Sequence, residues 1–138
     1  MARAIGVELP ISFKQSVEIC SFIESRSIGD AKKLLQNVAE KKLAIPFKRY
    51  NHDLGHKKKV GPARYPENAS LEFIKLLENA ESNAQFKGLN TSKLVIEHIS
   101  AHKAGKSWHF GRQSRRRMKR TTLQIVVKEK GKQTNKND

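Results

Sequence analysis

The sequence predicts an α+β fold, and three observations carry the prediction. Three stretches repeat apolar residues at three- and four-residue steps, the period of an amphipathic helix. Two later stretches alternate apolar and polar residues at the period of a strand, and "ARAIGV" near the start fits a third short strand. Between these elements lie two segments where periodicity disappears and lysine and arginine take over.

The first strand covers 2–7 and ends near Pro10. Phe13, Val17, Cys20 and Ile23 then mark a helix over about 12–24. "RSIGD" interrupts it; Ser27 with Asp30 three residues on fits a helix start, a capping side chain with an acid in the first turn. Ala31, Leu34, Leu35, Val38 and Ala39 give the second helix its apolar stripe, and it ends before Pro46, which bars Ile45 from helical angles. Residues 46–66 hold three prolines, two glycines, two tyrosines and a basic cluster, and read as a long loop. A third helix runs from about Asn68 to Phe86 with Phe73, Ile74, Leu77, Ala80 and Ala84 inward, and "KGLN" stops it. Strands follow over 93–102 and 121–129, placing Leu94, Ile96 and His98 on one face and Leu123, Ile125 and Val127 on one face. The extended hairpin is about 93–129, the polar tail is 131–138, and the 138 residues fit a single domain with one modest core.

The formal net charge is +15, which points to a polyanion, nucleic acid before an anionic membrane. The charge is localised: residues 46–65 carry net +5 and residues 101–138 net +10, whereas 1–45 and 66–100 are close to neutral. Residues 103–120 hold eight lysines and arginines, no acid, and the rings of Trp108 and Phe110. If 93–102 and 121–129 pair, this stretch either loops out or extends the strands as a ribbon reaching on the order of 50 Å at ~3.3 Å per residue. Such an arm has no core of its own and needs a partner to order it. Cations meet phosphates, while rings and guanidinium planes meet unstacked bases. A solvated disordered loop and a DNA-binding β-ribbon are the competing readings.

Other chemistry finds little support. His52 and His56 are four apart, as are His98 and His102, but these pairs fall in a loop and a strand with no second ligand cluster; no metal and no cofactor is expected. Cys20, the only cysteine, lies on an apolar stripe and reads as a buried structural thiol. "GHKKKVGP" lacks the spacing of a nucleotide phosphate loop. Glu78 and Glu81 fit a solvated helix face, no catalytic constellation stands out, and no enzyme is expected. The apolar runs are too short to span a membrane, the first residues lack a signal core, and a reducing, cytoplasmic setting is expected.

"PFKRYNHDLGHKKKV", "ARYPENAS", "LLENAESNAQFKGLN", "LVIEHISAHK" and "GRQSRRRMKRTTLQIVV" together resemble the large-subunit ribosomal protein family numbered twenty-two in the universal scheme and seventeen in the older eukaryotic one, in its archaeal form. The resemblance covers about residues 12–130. It implies three helices packed on a small three-stranded antiparallel sheet, with a long protruding β-hairpin that reaches the wall of the nascent-peptide exit tunnel. It also implies large-subunit rRNA, neighbouring ribosomal proteins and the nascent polypeptide as partners, with no homo-oligomer.

Carried over by residue, Trp108, His109, Phe110, Gly111, Arg112 and Gln113 match the hairpin tip, with Gly111 the candidate for a tight turn. Lys48, Arg49, Lys57, Lys58, Lys59 and Arg64 match the basic loop, and Lys103, Lys106, Arg115, Arg116, Arg117, Lys119 and Arg120 the flanks of the arm, all expected to meet rRNA. Two features depart from many relatives: the arginine run follows Gly-Arg instead of preceding the tip aromatic, and the loop after Val60 is short. Against this stand a free regulatory DNA- or RNA-binding module using a basic β-ribbon, and an RNA-processing enzyme, which would need a polar catalytic cluster.

Overall fold

The computed structural model describes residues 1–130; the expected polar tail, 131–138, lies outside the described residues. The element order is β1 (Ala2–Leu9), α1 (Phe13–Ile23), α2 (Ile28–Ala39), β2 (Ile45–Pro46), β3 (His56–Lys57), β4 (Gly61–Arg64), α3 (Glu67–Phe86), β5 (Leu94–Lys103) and β6 (Thr121–Glu129). This is the expected α+β class: β1, β6 and β5 form an antiparallel sheet in that order, and the helices cover one face of it.

The start of α2 and the ends of α2 and α3 are set locally. At α2, the Ser27 Oγ accepts the Asp30 N–H at 3.1 Å and donates to the Asp30 carboxylate at 2.7 Å, the start that its sequence suggests. The end of α2 is a Schellman closure: the Lys42 N–H donates to Asn37 O at 2.8 Å and the Lys41 N–H to Val38 O at 3.0 Å. Lys41 takes φ 62° there, a conformation usually left to glycine. The same motif ends α3, with Leu89 N–H on Ala84 O at 3.0 Å and Gly88 at φ 71°.

The core is formed by the inward faces of all three helices and the sheet, with Ile19, Leu35, Phe73, Leu77, Ile96 and Ile125 almost wholly withdrawn from solvent. Burying each such side chain contributes about 1.5–3 kcal/mol.

Three details differ from the sequence reading. The buried residues of α1 are Ser16, Glu18, Ile19, Cys20 and Ile23, so Val17 and Phe13 lie at its margin. The strict alternation in β5 fails at a bulge: Ile96 pairs with Val127 and His98 with Val126, so Glu97 is an extra residue. Ile99 then turns inward and His98 faces solvent. Residues 46–66 are not a bare loop, because β2, β4 and β3 form a second small antiparallel sheet. Strands of two to four residues that include Pro46 and Pro62 are too short to show alternation, so no period marks them.

Candidate nucleic-acid interface

The second small sheet displays the first basic segment. His56 pairs with Pro62 and Lys57 with Gly61, so β3 and β4 form a hairpin with Lys58 and Lys59 at its turn. The turn closes through Val60 N–H on Lys57 O at 3.0 Å, and positive φ values at Lys59 (68°) and Gly61 (82°) supply the reversal.

The loop before that hairpin is fixed to the body by a side chain that the sequence reading did not single out. Glu18, on α1, is only 3% exposed. Its carboxylate accepts the backbone N–H groups of Lys48 at 3.1 Å, Arg49 at 2.9 Å and Tyr50 at 2.9 Å. Three successive amides form a concave anion cradle. With the backbone drawn inward, the side chains of Lys48 and Arg49 remain exposed. No local pattern signals this, because an acid on a helix does not reveal that it will meet amides thirty residues away.

Aromatic rings organise the cations around this anchor. Tyr50 lies edge-on to Phe13, centroids 6.3 Å apart, and carries Lys14 at 5.8 Å and Arg49 at 5.6 Å. Phe13 in turn carries Lys103 from the end of β5 at 5.4 Å. The two basic segments therefore meet at the start of α1, where the Tyr50–Phe13 ring pair joins Arg49 of the loop to Lys103 of the hairpin base. Lys57 sits over Tyr65 at 5.6 Å and Arg64 over Phe47 at 6.0 Å. Each exposed cation–ring contact contributes about 0.5–1 kcal/mol, enough to bias an orientation without neutralising the charge.

Beyond Lys103 paired with Thr121, the regular ladder stops. The strands neither run on as an unbroken ribbon nor loop out freely. Ala104 N–H still reaches Arg120 O at 3.3 Å, but the next bond joins Met118 N–H to Ser107 O at 2.8 Å. Gly105 and Lys106 thus lie opposite Lys119 alone, a bulge that re-aims the arm. Pairing resumes at Trp108 and Arg117, with His109 N–H on Arg116 O at 2.9 Å. The guanidinium of Arg117 lies 4.4 Å from the centre of the Trp108 ring. A 3₁₀ turn over Gly111–Gln113 reverses the chain, and Gly111 has φ 65°. None of residues 102–120 is buried; Trp108 is 55% and Phe110 87% exposed.

The acids complete the electrostatic description. Among the described residues the ion pairs are Lys32–Glu81, Lys41–Glu67, Lys42–Glu40, Lys75–Glu72 and Lys128–Glu97. They use none of the cations singled out from the sequence. Lys48, Arg49, Lys58, Lys59, Arg64, Lys103, Lys106, Arg112, Arg115, Arg116, Arg117 and Lys119 are exposed, while Lys57 and Arg120 are half-buried. Arg120 folds back on the arm, reaching Met118 Sδ at 3.6 Å and Lys119 O at 3.5 Å.

Cys20 is buried on α1, where burial, with Glu24 adding to it, pushes its thiol up to about 12. Among the described residues no three His, Cys, Asp or Glu side chains group as a metal site, and no helix is long and apolar enough to cross a membrane. His98 and His102 share the exposed face of β5, and His102 pairs with Ser100 Oγ at 3.0 Å.

Comparison with known proteins adds to this geometry. The family described as Ribosomal protein L22p/L17e matches residues 4–128. The chain belongs to this family. Among its relatives, large ribosomal subunit protein uL22 of Archaeoglobus fulgidus is 42% identical, over 91% of this chain and 86% of the relative. Those of Thermoplasma volcanium (46% identical; 74% and 69%) and Staphylothermus marinus (40% identical; 94% and 89%) are also similar. The chain resembles the archaeal members of the L22p/L17e family along nearly its whole length.

Proposed function

We propose that the chain is a structural constituent of the large ribosomal subunit, which binds large-subunit rRNA and extends its β5–β6 arm to line the nascent-peptide exit tunnel. The observation that carries this reading is the set of cations on the loop and arm that no acid pairs with among the described residues. A folded chain keeps so many like charges together most readily beside a polyanion, whose phosphates they neutralise with release of counterions. Relatives named as large-subunit proteins support rRNA as that polyanion.

In this reading Lys48, Arg49, Lys57, Lys58, Lys59, Arg64 and Lys103 hold the body on rRNA. Lys106, Arg115, Arg116, Arg117, Lys119 and Arg120 seat the arm between RNA segments. The tip from Trp108 to Gln113 faces the tunnel and the passing nascent polypeptide, other large-subunit proteins pack nearby, and the chain acts as one domain in one copy. The scaffold supplies binding and shape, and no reaction is assigned to it.

The test is sedimentation of tagged full-length protein in a cell extract. The reading expects the protein with large subunits and whole ribosomes, retained through a moderate-salt wash. Protein remaining in the light fractions would contradict it.

A further inference from the structure

A second basic surface starts at Lys48 and runs over cations not assigned above. The turn between α1 and α2 is stitched to the start of β5: Ile96 N–H donates to Arg26 O at 2.9 Å, and Ser27 bridges Val95. Lys130 N–H closes the hairpin base on Lys93 O at 2.9 Å. Between turn and hairpin base runs a groove of about 810 Å³, with Arg26, Lys93, Lys128 and Lys130 in its walls. A smaller groove of about 290 Å³ continues from Arg26 to Lys48 and Pro46. Arg26 is the wall that the two share.

Lys128 apart, the cations of this surface have no acidic partner among the described residues. The Nε of Arg26 donates to Phe22 O at 2.9 Å and its guanidinium lies 5.3 Å from the Phe22 ring centre, which orients the plane; among the described residues its terminal nitrogens have no hydrogen-bond partner. Among the described residues neither Arg26, Lys93 nor Lys130 forms an ion pair; Lys128 pairs with Glu97 at 2.6 Å. The acids lining the grooves are already engaged. Asp30 accepts from Ser27 at 2.7 Å, and Glu18 is occupied by three backbone amides. Leu94, Val95 and the lysine stems line the floor, where sugar edges can lie.

We propose that the two grooves form one track for a single run of RNA backbone, from Lys48 past Arg26 to Lys93 and Lys130. The track extends the rRNA-binding reading and rests on it. It adds a contact surface at the base of the hairpin, and Arg26 is its junction.

The experiment measures binding of the full chain to deproteinised large-subunit rRNA across a salt series. It compares the wild type, a loop variant (Lys57→Ala, Lys58→Ala, Lys59→Ala) and a groove variant (Arg26→Gln, Lys93→Gln, Lys130→Gln). Each phosphate contact removed lowers the log–log salt slope by about 0.7–0.9, so the groove variant should bind with a slope shallower by roughly 2. Restoring Arg26→Lys in that background should recover part of the slope, and thermal melting confirms that each variant is folded. A shallower slope for the loop variant with a wild-type slope for the groove variant overturns the track alone and leaves the groove to a protein neighbour. Wild-type slopes for both overturn the rRNA reading, and the track with it.

Discussion

The loop of residues 46–66 and the arm beyond Lys103 carry cations of the same kind, yet they are held in opposite ways. The loop is tied to the body by the Glu18 carboxylate, by a three-stranded sheet of its own, and by rings beneath Arg49, Lys57 and Arg64. The arm has a few cross-strand backbone bonds, one Trp108–Arg117 stack and no buried residue between 102 and 120. The loop is thus pre-organised, and in the proposed reading it would meet a phosphate at little ordering cost. The arm exchanges buried support for reach, and in the proposed reading its surroundings would complete its shape.

Substitutions in the body set the upper end of the scale that this comparison implies. Leu35 is fully buried on α2, and Leu35→Ala should destabilise the protein by about 2–5 kcal/mol, measured by urea unfolding. Glu18→Ala should destabilise by about 2–3 kcal/mol, since it leaves three amides without their charged acceptor. Hydrogen exchange should then quicken at Lys48, Arg49 and Tyr50 while the arm's exchange is unaltered. Equal quickening in both regions would mean that loop and arm are not held independently. Ser27→Ala removes one cap and should cost about 1 kcal/mol.

Much of this was legible in the sequence because it is local. Ser27 with Asp30, the glycine at 88 and the alternation in β6 each report on their own neighbourhood, and the charge asymmetry marked both basic segments. The features that escaped are non-local. The Glu18 cradle, the Tyr50–Phe13 link between Arg49 and Lys103, and the Arg26 grooves all join residues far apart in the chain. The bulges at Glu97 and at Gly105 and Lys106 escaped for a different reason: alternation shows that a strand exists, not where its register slips.

Smaller effects sharpen the contrast. Cys20 should resist alkylation in the folded chain, since its thiol is buried and protonated well above neutral pH. Between the ordinary value of 9.0 and about 12 only the unfolded chain releases this proton, so the group's contribution to stability is complete below 9.0 and declines as pH rises through that window. Thiol labelling during urea unfolding should therefore follow the global transition. Deleting residues 106–116 should change unfolding free energy by less than about 0.5 kcal/mol, because the segment is surface without core and Ala104 can still pair with Arg120. A large loss would show that the arm supports the body after all.

The same deletion gives the most direct test of the central claim, that the body binds and the arm reaches into the tunnel. Large subunits assembled with the protein lacking residues 106–116 should still contain it, held by the loop and the hairpin base. Chemical probing of their rRNA should show new reactivity along the tunnel wall and none where the body sits. If reactivity changes only on the outer surface and the tunnel wall stays protected, the arm does not enter the tunnel.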